Sequence, residues 1–139
     1  MAKTRNLKIL KILASMAETV VGIKQRMAAA IVYKDSIISV GINSKITDPF
    51  QIKYQRNVHS IYPHAEIAAI KRASKKLTDR QLIKSILYVV RIKNTESSPG
   101  NFDWGFALPC DGCMRAISEF GIKTVVYSTD SDQYIALKR

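Results

Sequence analysis

Apolar residues recur at three and four positions from Asn6 to about Val21: Leu7, Leu10, Ala14, Ala17 and Val21, flanked by Ile9, Leu13, Met16 and Val20. That spacing predicts a helix with a broad buried face, with Lys8 and Lys11 toward its wetter side. The period then changes. RMAAAIVYKDSIISVGIN, beginning at Arg26, reads as two short apolar strands joined around Lys34-Asp35-Ser36, an antiparallel hairpin. Ser44 to Pro63 has little periodicity and contains Pro49, Asn57 and Pro63, so it is predicted to be a loop. A loop of about 20 residues inside a compact domain usually serves function.

Ala65 to Ala73 regains helical spacing, with Ile67, Ile70 and the alanines inward, and a polar linker follows to around Asp79. SILYVVRI, Ser85 to Ile92, is a near-continuous apolar run of the kind buried in a central sheet. Lys93 to Asp103 is polar, holds Pro99-Gly100 and reads as a surface loop. Phe106 to Leu108 leads into a second crossover helix, Cys110 to Phe120, which Gly121 terminates; Ile122 to Tyr127 is a strand and Tyr134 to Leu137 a small final one. This order predicts one domain over residues 1–139, a three-layer α/β/α sandwich with a mixed central sheet. Its two later helices serve as crossovers between parallel strands. A dinucleotide-binding fold fits less well, because no glycine-rich turn follows the first strand.

Length and composition agree with that picture: 139 residues, 47% of them apolar, suffice for one sizeable core. No run approaches the roughly 18 apolar residues of a membrane span, and MAKTRNLKIL lacks the apolar core of a secretory signal, so the expectation is a soluble, cytoplasmic protein without a membrane partner. The charge is lopsided. Through Lys93 there are 18 basic and 5 acidic residues; from Asn94 onward there are 4 and 6. The first two thirds thus carry the positive field, which suits an anionic ligand such as a nucleotide phosphate or a nucleic acid backbone, although no tight basic block appears and many of these lysines fit a solvated surface equally well.

Two short stretches carry chemistry. PHAE puts His64 and Glu66 at the start of one predicted helix, and PCDGC puts Cys110 and Cys113, the sole cysteines, at the start of another. One imidazole and two thiolates suit zinc, with a fourth tetrahedral position left for water. Helix starts also favour thiolates, since unpaired N–H groups and the positive end of the helix dipole lie there. Glu66 would then stand beside the metal as a proton carrier. Other readings remain open at this level: His64 and Glu66 as plain helix-start residues beside buried cysteines, a redox dithiol, or a structural zinc site with His59 as fourth ligand.

HAE followed by PCDGC resembles the zinc-binding signature of the cytidine and deoxycytidylate deaminase superfamily, His-x-Glu and then Pro-Cys-x-x-Cys. The resemblance runs from about Arg26 to Tyr127 and includes the hairpin, a GIN turn at Gly41 to Asn43, and CDGCMRAISEFGIKTVVY. It implies a cytidine-deaminase-like sandwich in which His64, Cys110 and Cys113 hold Zn2+. Glu66 would shuttle a proton from zinc-activated water to N3 of a cytosine ring, with attack at C4 and release of ammonia. It further implies that the Ala65 N–H orients the base, that residues before Pro109, Leu108 among them, line the pocket, and that Asn43 contacts the sugar.

CMRAI followed by FGIKTVVY is most similar to the deoxycytidylate group, which implies dCMP as the small-molecule substrate, with Lys45, Lys53 and Arg56 available to its 5′-phosphate. Homo-oligomers are usual in related enzymes. The alternatives are free cytidine or deoxycytidine, and cytosine or adenine in single-stranded DNA or RNA, including tRNA. For nucleic acid, Tyr54, Tyr62, Phe102 and Trp104 would stack bases beside the positive surface, unless they anchor loops to the core. Leu108 stands where a tRNA-type enzyme carries Glu, which favours cytosine over adenosine.

Overall fold

A computed structural model of the chain describes residues 2–20, 26–43, 64–94 and 102–138. Its centre is a six-stranded sheet of β1 (Arg26–Tyr33), β2 (Ser36–Ile42), β3 (Ile86–Asn94), β4 (Phe102–Gly105), β5 (Thr124–Ser128) and β6 (Tyr134–Lys138). The α-helices among the described residues are α1 (Ala2–Ala17), α2 (Ala65–Ser74), α3 (Asp79–Ile83) and α4 (Asp111–Glu119). Strand order is β2-β1-β3-β5-β6, with β4 joined to β3. Among the described strands only β3 and β5 form an adjacent parallel pair; β1 pairs antiparallel with both β2 and β3. The α2–α3 connection therefore links strands of the same direction, β2 and β3, with β1 between them, while α4 leads into β5 beside β3. The sheet is mixed, as expected, and no helix among the described residues is long and apolar enough to cross a membrane.

Two cores sit on opposite faces. Ala28, Ala30 and Val32 of β1 and Tyr88, Val90 and Ile92 of β3 face Leu10, Leu13 and Ala17 of α1. Ala29 and Ile31 alternate with them and, with Leu87, Val89 and Val125, face Ala69, Ile70 and Ala73 of α2 and Ala116 and Ile117 of α4. Successive strand residues point to opposite faces, so the middle strands must be apolar throughout, which is why SILYVVRI shows no alternation.

Some boundaries differ from the sequence reading. The first helix begins at Ala2 and ends at Ala17, its last turn closed by Thr19 Oγ1 donating to the Met16 carbonyl at 2.6 Å. The polar linker contains α3, started by a capping box: Thr78 Oγ1 accepts from the Gln81 N–H at 3.2 Å and the Thr78 N–H donates to Gln81 Oε1 at 2.8 Å. The polar stretch before Trp104 is not all loop either. β3 continues to Asn94, and Phe102–Gly105 pairs with its end, from Asn94↔Phe102 to Arg91↔Gly105. Gly41 and Ile42 lie in β2, so GIN is strand rather than turn.

β4 and β5 share one side of β3, and Ser128 seals the join. Its buried hydroxyl accepts from the Arg91 N–H at 3.1 Å and donates to the Gly105 carbonyl at 2.8 Å, while its own carbonyl accepts from the Ala107 N–H at 2.9 Å. These bonds aim the chain leaving β4 toward Cys110. At the far end of α4 the Ile122 N–H reaches the Ile117 carbonyl and the Gly121 N–H the Ser118 carbonyl, with Gly121 at φ 76°, so this glycine stops the helix as the sequence suggested.

Candidate metal and active site

His64 is the residue before α2 and Cys110 the residue before α4, both with extended backbones. Neither side chain caps its own helix. Their carbonyls accept the first helical bonds, from the Ala68 and Met114 N–H groups, and the side chains turn to each other across the gap between the helices. His64 Nδ1 lies 3.3 Å from Cys113 Sγ and 3.6 Å from Cys110 Sγ, and the three donor atoms lie within 4.8 Å of one another.

This geometry fits zinc. Bond lengths of about 2.0–2.1 Å to nitrogen and 2.3 Å to sulfur in a tetrahedron place N and S about 3.6 Å apart, close to the observed separations. Three ligands leave one position open, the pattern of catalytic rather than structural zinc. His59, the conceivable fourth ligand, lies outside the described residues, as do Lys45, Lys53, Arg56, Tyr54 and Tyr62.

The polypeptide's own charges already prepare the donors. The Cys110 thiol is brought down to about 3, first by its hydrogen bond with Cys113 and then by that with His64. Cys113 is pushed up by sharing that hydrogen bond and by burial, and the His64 imidazole is raised by its bond to Cys110. Thiolates are the form in which cysteines ligate zinc, so metal binding would draw protons off this group.

Glu66, in the first turn of α2, is 2% exposed, and its Oε1 has no hydrogen-bond partner among the described residues. Burial raises its carboxyl above the ordinary value, with its backbone N–H and the nearby His64 pulling the other way. A buried carboxyl that keeps an oxygen free costs stability, and proteins keep such groups for chemistry.

α2 is seated by close contacts with β2. A Cβ on Gly41 would fall 2.4 Å from the Ala65 carbonyl oxygen and 2.7 Å from the Ala69 nitrogen, so only glycine lets the helix start lie this close. Ser39 Oγ donates to the Ala69 carbonyl at 2.7 Å, Lys76 Nζ to the Ile38 carbonyl at 3.2 Å, and Arg72 to the Val40 carbonyl. The two cations also cover carbonyls of the sheet's edge strand.

The remaining expectations divide. Ala65, buried, opens α2, where N–H groups lack partners within the helix. Leu108, two residues before Cys110, is 46% exposed; Phe106 beside it meets Tyr127 edge-on at 5.7 Å. Asn43 is structurally engaged: its Oδ1 accepts from the Met27 N–H at 3.0 Å, closing the open end of the hairpin. Phe102 and Trp104 do not stack bases beside the site. Both belong to the α1-side core, Trp104 7% exposed and Phe102 under the Arg26 guanidinium at 5.1 Å. Ser128 and Gly41 build the site without chemistry of their own, and the one sequence sign of the tight approach at Gly41 is a glycine inside a strand pattern.

Comparison with known proteins supports the same reading. The sequence model of the cytidine and deoxycytidylate deaminase zinc-binding region matches residues 3–129. No curated protein matches the chain by sequence. Among solved structures, cytidine deaminase from Burkholderia pseudomallei aligns at TM-score 0.63 and 16% identity over 94% of this chain and 90% of that one. Apo dCMP deaminase from cyanophage S-TIM5 aligns at 0.55 and 20% over 94% and 85%. A Thermotoga maritima diaminohydroxyphosphoribosylaminopyrimidine deaminase/5-amino-6-(5-phosphoribosylamino)uracil reductase aligns at 0.55 and 22% over 91% of this chain, which spans 30% of that longer protein. These likenesses are of fold. With the match over residues 3–129 and a zinc-fitting His64, Cys110 and Cys113, the chain belongs to the cytidine and deoxycytidylate deaminase family.

Proposed function

We propose that the chain catalyses hydrolytic deamination of a cytosine nucleotide, with dCMP converted to dUMP and ammonia. The observation that carries this is the placement of Glu66: buried, next to the three metal donors, with one oxygen unpartnered. Zinc held by His64, Cys110 and Cys113 supplies the Lewis acidity that makes water nucleophilic near neutral pH. Glu66 does the proton work. It takes a proton from the attacking water and delivers it to ring N3, then carries a second to the departing amino group; the C4–O bond forms, the C4–N4 bond breaks, and ammonia leaves. Burial raises the carboxyl toward the proton affinity such a relay needs. The Ala65 N–H, at the positive end of α2, suits the base carbonyl.

The nucleotide is supported by the run from Cys113 to Tyr127 and by likeness to the cyanophage dCMP deaminase in complex with dCMP and dUMP, which aligns at TM-score 0.52 and 19% identity over 91% of this chain and 79% of that one. The test is ammonia release by zinc-loaded protein from dCMP, CMP, deoxycytidine, cytidine and a cytosine-containing single-stranded oligonucleotide. We expect dCMP to be the best substrate and Glu66→Gln to lower its turnover by about 10³-fold while zinc stays bound. Turnover of the oligonucleotide alone replaces the mononucleotide reading, and zinc-loaded protein that releases ammonia from none of the five overturns it.

A further inference from the structure

Three arginines of the described structure are half-buried, and two have evident partners. Arg5 reaches Asp35 at 2.6 Å, and Arg26 donates to the Glu18 carbonyl at 3.2 Å with its guanidinium over Phe102. Arg91 differs. Its backbone N–H is held by Ser128, but its side chain has no hydrogen bond or ion pair among the described residues, and its Nε is buried and unpartnered. A half-buried cation without a counter-charge is costly, and the surrounding fold does not explain it.

Its position is informative. Along β3, Arg91 falls in the same every-second-residue series as Leu87 and Val89, which pack under α2 and α4, so it lies on the sheet face that carries the metal donors. It is also near the carboxyl end of β3, where parallel α/β sheets bind ligands. Its cross-strand neighbours are Met27, whose N–H is bonded by Asn43, and Gly105, five residues before Cys110. Gly105 makes room for it: a Cβ there would stand 3.3 Å from Arg91 Cδ and 3.4 Å from Cγ and Nε, so the arginine stem lies across the bare glycine. The next cation outward on this face, Lys93, is already engaged with Asp130 at 3.0 Å.

We infer that Arg91 is the specificity-determining residue for an anionic group on the substrate, and that it takes the 5′-phosphate of the nucleotide. The inference rests on the deaminase reading for the identity of the substrate. Two thiolates would balance the zinc charge, and Glu66 adds a negative one, so the metal centre itself has nothing to offer a phosphate. A guanidinium does: its planar fork matches phosphate oxygens in pairs, and an unengaged one needs no partner broken before it binds. Phosphate recognition is thus set on the rigid centre of the sheet, joined by Ser128 to the segment leading to Cys110.

The test compares zinc-loaded wild type with Arg91→Gln, Arg91→Lys and Gly105→Ala. Affinity is read calorimetrically with dUMP, deoxyuridine and inorganic phosphate, and turnover with dCMP and deoxycytidine. We expect Arg91→Gln to weaken dUMP by about 30-fold more than deoxyuridine and to lower the dCMP-to-deoxycytidine ratio of kcat/KM to match. Arg91→Lys should fall between, keeping the charge without the fork. Gly105→Ala, which crowds the stem, should shift the same ratio less. Loss of both members of each pair together, or dUMP affinity that survives Arg91→Gln, overturns the assignment. If the wild type deaminates neither compound, the functional reading fails separately; phosphate binding lost in Arg91→Gln then still supports Arg91 as an anion site, and a wild type that binds neither dUMP nor phosphate overturns it. Should Arg91→Gln fail to fold, Arg91→Lys and Gly105→Ala decide by the same ratios.

Discussion

The two faces of the sheet are built from the same strands, yet they treat polar groups oppositely. On the α1 face, the buried Tyr88 hydroxyl donates to Asn6 Oδ1 at 2.6 Å, so a phenol in the middle of the sheet is satisfied. Arg5 leaves its Nε unpartnered there but places a terminal nitrogen on Asp35. On the α2–α4 face, Glu66 keeps a free buried oxygen, Arg91 a free buried nitrogen, and the thiols of Cys110 and Cys113 gather round His64. One face spends its polar groups on the fold and the other holds them for something else. The site face can carry that cost because Gly41, Ser39 and Ser128 fix its geometry by backbone contacts that do not use the reactive side chains.

The contrast predicts which perturbations separate stability from function. Leu13, fully buried between α1 and the sheet, should give the largest stability loss: Leu13→Ala is expected to cost about 3 kcal/mol, seen as a lowered denaturation midpoint. Zinc stoichiometry and turnover per folded molecule should stay at the wild-type level; a drop in either in the folded fraction would show the faces to be coupled through β1 and β3. Gly41→Ala tests the other face. The added methyl must displace α2, at a cost of about 2 kcal/mol, and should also carry His64 away from the cysteines. Zinc retention in competition with a chelator is the discriminating measurement. Unchanged retention alongside lost stability would mean that α2 and α4 shift as one piece.

The same division governs what the sequence made legible. The metal donors were readable because their chemistry depends on residue types at fixed short spacing, and both helices start where apolar periodicity predicts. β1 and β3 were readable because burial on both faces demands uninterrupted apolar runs. Short elements were not. α3 was hidden in a polar linker, although Thr78 and Gln81 form a capping-box pattern that gave a local sign of it. β4 spans four residues, too few for alternation to declare itself, and its burial of Trp104 comes from pairing with the far end of β3. Arg91 was invisible for a deeper reason. In sequence it is one basic residue at the end of an apolar run, and its lack of a partner exists only once Gly105 and Ser128 are folded against it.

The smallest effect should come from the most completely satisfied polar pair. Tyr88→Phe removes one hydroxyl and leaves Asn6 Oδ1 buried without its donor, at a cost of about 1–2 kcal/mol, with the ring's packing retained. The pH profile adds a signature that packing alone does not produce. Burial raises the Tyr88 phenol above its ordinary value of about 10, with the nearby Arg5 pulling it back in part, so the folded chain holds this proton to higher pH than the unfolded chain does. Its contribution to stability is therefore whole below about pH 10 and is lost as pH rises through the raised value. Unfolding free energy followed from pH 8 to 11 should fall more steeply for wild type than for Tyr88→Phe, narrowing the gap between them; a constant gap would place the phenol's ordinary value in the folded chain. Turnover measured at neutral pH should be the same for both proteins, because His64, Glu66, Cys110 and Cys113 all lie on the other face.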